Sequence, residues 1–344
     1  MRVKTTRIAA VIMKLLPVLS FIPPVLLLYY IDPSSFSLMY PGRAAYIFFL
    51  WLAFLEVILY WEKIQTRKIN RSKLVVTFLI FSLFLLPTIY LLAYIALAKY
   101  LGVEQIFLIS TYPNSPLARQ IYLALSLEYI ILAVLFALIV LLAYKTGKLL
   151  GLQTPAFFLG TMGLIFLVDW AYPGGNFTPF QILVKPTATA AAAILNMMGY
   201  ETSLFEIVDP TYGPLSYMRV YDPNTNLSTS FGIAWPCAGV ESLLLYTLTI
   251  LVFLQTIPAS KKQKVIYFAV GFAVTYFVNI LRIVTVFLIG LSNGDVWAFH
   301  NYYGWLYSVS WIVFYPLIIT GCQQFLNKRR KSNVVMSFNR QNNV

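Results

Sequence analysis

The sequence predicts an all-α integral membrane protein with about eight transmembrane helices and both termini cytoplasmic. Three observations lead there. Of 344 residues, 60% are hydrophobic and 11% charged, a balance that would leave a water-soluble globule with very large exposed apolar patches. The apolar residues form repeated runs of roughly 20, the length of helix that crosses a hydrocarbon core about 30 Å thick. Lysine and arginine collect between alternate runs, as they do in cytoplasmic loops.

Taken in order, the spans fall near 8–30, 44–61, 74–98, 120–143 and 154–171, then 238–257, 265–290 and 305–326. The first continues past Pro17 and Pro23–Pro24 without a small-residue cleavage pattern, which reads as a retained signal anchor. Basic clusters at Arg2/Lys4/Arg7, Lys63 to Lys73, Lys145/Lys148, Lys261/Lys262/Lys264 and Lys328 to Lys331 all reach one side if the spans alternate. Of the 25 basic residues, 19 lie on that side, counting Lys14 in the first two turns of the first span, while Arg43, Lys99, Arg119, Lys185 and Arg219 lie on the other and Arg282 deep within a span. The net charge of +13 is therefore spread over membrane edges, where it serves topology and contact with membrane lipids; no nucleic-acid partner is expected.

The organisation is a five-helix membrane part (1–171), an outer cap (172–236), a three-helix catalytic part (237–326) and a cytoplasmic basic tail (327–344), with disorder expected beyond Arg330. Within the cap, Ala188 to Met198 reads as helix between Pro186 and Gly199. At roughly 18 Å it is too short to span, and counting it as a span would invert every later helix. It is expected to be interfacial or re-entrant. Residues 201–235 mix β-branched and aromatic residues with Asp-Pro and Gly-Pro turns and suggest a small hairpin.

Few polar residues remain to carry chemistry. The only cysteines are Cys237, at the outer end of the sixth span, and Cys322, near the cytoplasmic end of the eighth. A membrane thickness of about 30 Å separates them, so they cannot pair. Cys322, flanked by apolar residues, reads as a small hydrophobe. Cys237 enters a helix after Trp235-Pro236, where unpaired N–H groups and the helix dipole are expected to depress its pKa. Arg282 lies inside the seventh span and needs a polar interior. It stands about 12 Å short of Gly290, a distance its long side chain partly recovers toward the level of Cys237. The competing role for Arg282 is a structural ion pair with Glu241, one turn after Cys237. His300, the single histidine, opens the last helix, and His300, Gly304, Tyr307/Ser308 and Trp311 recur at helical spacing, with Gly304 permitting close helix approach. Three residue types suited to acyl transfer thus converge on one leaflet: a thiol nucleophile, an imidazole proton shuttle and a guanidinium for an oxyanion or thiolate.

These residues resemble the exosortase/archaeosortase family of membrane transpeptidases. The resemblance rests on Pro-Cys-Ala-Gly at 236–239, Asn-Ile-Leu-Arg-Ile at 279–283 and His300-Asn-Tyr-Tyr-Gly304, and runs through 235–326. It implies a multi-pass plasma-membrane enzyme with its active site at the extracytoplasmic face and no cofactor or metal. Its substrates would be exported proteins with a C-terminal sorting tail made of a motif, a transmembrane helix and a basic cluster, and its acceptor a lipid or other cell-envelope group. Carried over, Cys237 is the nucleophile, Arg282 the electrostatic stabiliser and His300 the general acid/base, with Glu241, Asn279 and Gly239 in support. Asn279, one turn below Arg282, either orients it or makes a helix-to-helix hydrogen bond.

Two other classes compete. A polymerase, ligase or transporter of polysaccharide or lipid-linked sugar would also be polytopic with membrane arginines. A non-enzymatic membrane assembly or transport factor would use Glu128 and Asp169 as pathway residues, although Glu128 could pair with Arg119 and Asp169 could end a helix near water. Neither class accounts for Cys237, Arg282 and His300 at one level.

Overall fold

A computed structural model of the chain describes residues 11, 14–37, 42–62, 64, 74–102, 118–144, 153–172, 177–209, 213–235 and 237–341. The basic clusters at 2–7 and 145–148, those of Lys63 to Lys73, Pro236, and the side chains of Arg119 and of Lys328 to Lys331 lie outside the described residues.

Helices stand at every predicted span: α1 (Ile22–Ile31), α2 (Ala45–Leu59), α3 (Leu74–Tyr100), α4 (Ala118–Ala143), α5 (Gln153–Ala171), α7 (Val240–Thr256), α8 (Lys261–Leu291) and α9 (Gly304–Gln341), with α6 (Val184–Met197) in the cap. Among the described residues, six helical stretches are long and apolar enough to cross a membrane: Lys14–Ile31, Phe81–Tyr100, Gln120–Ala143, Gln153–Ala171, Lys261–Leu291 and Leu306–Phe325. The apolar stretches Ala45–Leu59 and Val240–Gln255 are shorter. Local chemistry sets the ends. Pro23 and Pro24 occupy the first turn of α1, where no N–H bond is lost. α8 begins at a capping box in which the Ser260 hydroxyl accepts from Gln263 N–H and the Gln263 side chain accepts from Ser260 N–H. The tail expected to be disordered beyond Arg330 is instead helical to Gln341, because no glycine or proline follows Gly321 to break it.

The first core joins α1, α2 and α4 through Phe21, Phe49 and Phe136, whose ring centroids lie 5.0 to 5.4 Å apart in edge-to-face contacts. α4 and α5 approach closely at Gly163, where a Cβ would fall 2.6 Å from Ile130. This core continues into α7 and α9 through Tyr246, Ile250, Val309 and Ile312, so the predicted boundary between the five-helix and three-helix parts does not divide it.

One charged pair differs from expectation. Arg43, placed in an outer loop by the charge count, is 1% exposed just before α2. Glu128 pairs with it: Arg43 Nε and Nη2 donate to the two Glu128 oxygens at 2.9 and 2.8 Å. Sequence distance hides this pair, since α2 and α4 meet only in the folded bundle.

The cap is more than the predicted hairpin, and it qualifies the all-α class. Strands β1 (Glu201–Asp209), β2 (Gly213–Asp222) and β3 (Leu227–Ile233) form an antiparallel sheet in the order β1-β2-β3. Alternation sets its buried face: Met218, Val220 and Ile233 point inward while Arg219 is exposed. The β2–β3 turn is tied by Asp222, which accepts from Asn224 N–H at 2.9 Å and Thr225 hydroxyl at 2.8 Å. α6 starts before the predicted Ala188 because Pro186 fits its first turn, and it stops at Gly199, whose φ of +94° is the left-handed conformation of a helix C-terminus. Ala188, Ala191, Ala192 and Leu195 of α6, the inner sheet face, Trp235 and the C-terminal half of α8 share a second core. β3 rests directly on α8 at Gly290, where a Cβ would come within 2.8 Å of Thr229 Oγ1. The cap is thereby fastened to the helix that carries Arg282.

Candidate active site

Cys237 sits in the tight turn between β3 and α7. Its N–H donates to Ala234 O at 3.0 Å, and Ala238 N–H donates to Ala234 O and Trp235 O, each at 3.1 Å. Trp235 anchors the turn: it is fully buried and meets Phe180 edge-on at 4.9 Å. Gly239 then caps α7 with φ +85°, a conformation that L side chains rarely adopt. A Cβ there would also lie 2.6 Å from the Asn279 amide. That amide donates to Cys237 O at 3.1 Å, while Asn279 Oδ1 is buried and meets no partner among the described residues. Asn279 thus ties α8 to the turn that carries Cys237. Thr187 of α6 secures the same turn from above, with its hydroxyl 3.3 Å from Ala238 O and 3.0 Å from the Tyr276 hydroxyl.

His300 reaches this turn from the far end of the chain. After α8, the Asp295 carboxylate caps a single turn at Val296–Ala298, and Phe299–Tyr303 form a π turn in which Gly304 N–H donates to Phe299 O. The π turn adds a residue to the ordinary helical spacing, so His300 precedes α9 and does not stand in register with Ser308 and Trp311. Ser308 is buried and Tyr307 is exposed. His300 Nε2 lies 3.9 Å from Cys237 Sγ.

Arg282 closes the group. It is 5% exposed, and its guanidinium lies over Gly304, where a Cβ would be 2.5 Å from Nε and 3.2 Å from Nη2. Gly304 thus makes room for the guanidinium rather than for a close helix crossing. Arg282 interacts electrostatically with both Cys237 and Glu241. Glu241, in the first turn of α7, is fully buried, and neither of its carboxylate oxygens meets a hydrogen-bond donor among the described residues. Cys322 is exposed, and both cysteines are free thiols.

The thiol does not behave as the helix terminus alone predicts. Burial pushes the Cys237 thiol above its ordinary value, against the opposing pull of the Arg282 charge and the bond to Ala234, with Glu241 adding to the rise. Cys237 precedes the helix cap by two residues, so the dipole acts on it less directly than burial does. The imidazole moves the other way: burial, then the positive charge of Arg282, lowers His300 to about 4. At neutral pH the pair rests as thiol and neutral imidazole, which is the form competent to remove a proton during attack.

A thiol, an imidazole and a guanidinium are thus gathered at one end of a membrane helix bundle, the residue types that acyl transfer requires. The family model described as transmembrane exosortase (Exosortase_EpsH) matches residues 36–316, and the chain belongs to that family. Curated proteins and solved structures gave no match. Membership makes the protein a multi-pass membrane transpeptidase in general terms, acting on exported proteins with sorting signals.

Proposed function

We propose that the chain is a cysteine transpeptidase of the plasma membrane, working at the extracytoplasmic face, that removes a C-terminal sorting tail and transfers the acyl group to an acceptor. The observation that carries this reading is the 3.9 Å approach of Cys237 Sγ and His300 Nε2, from segments separated by two membrane helices, with Arg282 packed beside both. His300 takes the thiol proton as Cys237 attacks the carbonyl carbon of the scissile peptide. Arg282 stabilises the developing oxyanion. The C–N bond then breaks, His300 returns its proton to the departing amine, and a Cys237 thioester remains. An amine or lipid hydroxyl acceptor, deprotonated by His300, displaces Cys237 and regenerates the thiol.

Gly239 and Asn279 support this cycle by holding the Cys237 turn, and Glu241 by its charge near Arg282. The eight-span topology with cytoplasmic termini suits the substrate. A helical tail entering sideways keeps its basic end in the cytoplasm and halts its scissile bond at the outer interface. Replacing Cys237 by Ala is expected to lower processing of a tail-bearing exported protein by at least about 10³-fold, read as retention of the uncleaved form. Normal processing in that variant would sink the reading and favour the sugar-polymer class.

A further inference from the structure

Asp169 lies near the outer end of α5 and Glu241 in the first turn of α7, on helices that pack together. Both are buried, at 7% and 0% exposure. Asp169 Oδ2 and both Glu241 carboxylate oxygens meet no donor among the described residues. Buried carboxylate oxygens without donors are uncommon, because their lost hydration goes uncompensated. Glu241 is electrostatically coupled to Asp169 on one side and to Arg282 on the other.

Two carboxylates in one apolar site do not both stay ionised. A proton held between them bridges two of the three orphaned oxygens, one carrying it and the other accepting it. It also leaves one negative charge to match the one positive charge of Arg282, whereas two would leave the buried group unbalanced. We propose that Asp169 and Glu241 hold a single proton between them and form a positioning pair whose one negative charge keeps the Arg282 guanidinium in place beside Gly304 and Cys237. Around the pair stand Arg282 from α8 and Cys237 from the turn before α7, with His300 of the π turn beyond Cys237. The consequence for processing rests on the transpeptidase reading; the charge arrangement does not.

The test uses the full-length protein in membranes with Cys322→Ser, which leaves Cys237 as the single thiol. Asp169→Asn and Glu241→Gln each substitute a shape-matched amide for a protonated acid and keep one charge; the double variant removes it. Each single variant is expected to process a tail-bearing protein within about tenfold of the parent, and the double variant at least about 100-fold more slowly, a strongly non-additive result. Alkylation of Cys237 by iodoacetamide against pH supplies a second reading. With Arg282 uncompensated, the double variant shifts the alkylation midpoint down by about one unit; a disturbance that merely opened the site scales the rate at every pH and leaves the midpoint in place. The exchange of Asp169→Glu with Glu241→Asp keeps one proton and one charge and is expected to retain processing. Independent, multiplying losses in the two singles, or a double variant with an unshifted midpoint, would overturn the pair. If the parent processes no tail-bearing protein, the transpeptidase reading fails while the alkylation midpoint still decides the pair.

Discussion

Two buried arginines, one in each half of the molecule, sit in opposite kinds of surroundings. Arg43 is bidentate to Glu128, which also accepts the Tyr46 hydroxyl at 3.0 Å, and Asp32 lies 3.9 Å away. Both oxygens of its main partner are satisfied. Arg282 lies against Gly304, near a thiol and an imidazole 3.9 Å apart and near buried acids of which Asp169 Oδ2 and both Glu241 oxygens meet no donor among the described residues. Acids saturated with donors spend their polar groups on packing; acids left unsatisfied remain available to a reacting group or a proton. On the proposed function, the first arginine belongs to the architecture and the second to the chemistry.

Glu128→Gln tests the architectural half and carries the largest expected effect. It leaves Arg43 with a neutral partner in the core and is expected to destabilise the protein by about 3–5 kcal/mol, measured as loss of thermal stability in detergent. Full stability in that variant would erase the distinction between the two arginines. Gly304→Ala addresses the other half. The added methyl meets Arg282 Nε, so processing is expected to fall by about 10- to 100-fold while stability changes by less than about 1 kcal/mol. A parallel loss of stability would make Arg282 structural as well. The smallest effect is in pH. Because His300 is lowered to about 4 and must be unprotonated to accept the thiol proton, processing is expected to stay nearly flat from neutral pH to about 5 and to fall only as the imidazole protonates near its own value. A fall centred near the ordinary histidine value of about 6.5 would show an exposed, unperturbed imidazole.

The close packing of the cap also alters how its function can be approached. Met218, Val220, Ile233 and Trp235 share a core with α8, so removal of the whole cap would disturb Arg282 as well as open the site to water. Point changes on the exposed sheet surface separate the two effects.

Much of the helical frame was legible because apolar run length and charge placement act locally along the chain. Cys237, Arg282 and His300 were legible as chemically unusual residues in a membrane sequence, and their order matched a family pattern. Asp169 carried only the signal of an acid at a helix end, and the partner of Glu128 could not be read because Arg43 lies 85 residues away on another segment while Arg119 is close in sequence. The sheet was half visible, since alternation in β2 is clear while its third strand depends on packing against α8.

By itself the sequence determined that the chain lives in lipid, where along it the basic residues collect, and which three side chains merit attention, since each follows from transfer free energy and residue order. Tertiary structure alone decided that the acid beside Arg43 is saturated with donors while Glu241 near Arg282 meets none among the described residues, that Gly304 receives a guanidinium, and that the Cys237 thiol rises where a helix terminus suggested a fall. Those outcomes depend on burial and on neighbours brought from distant segments, and both exist only after the helices have packed.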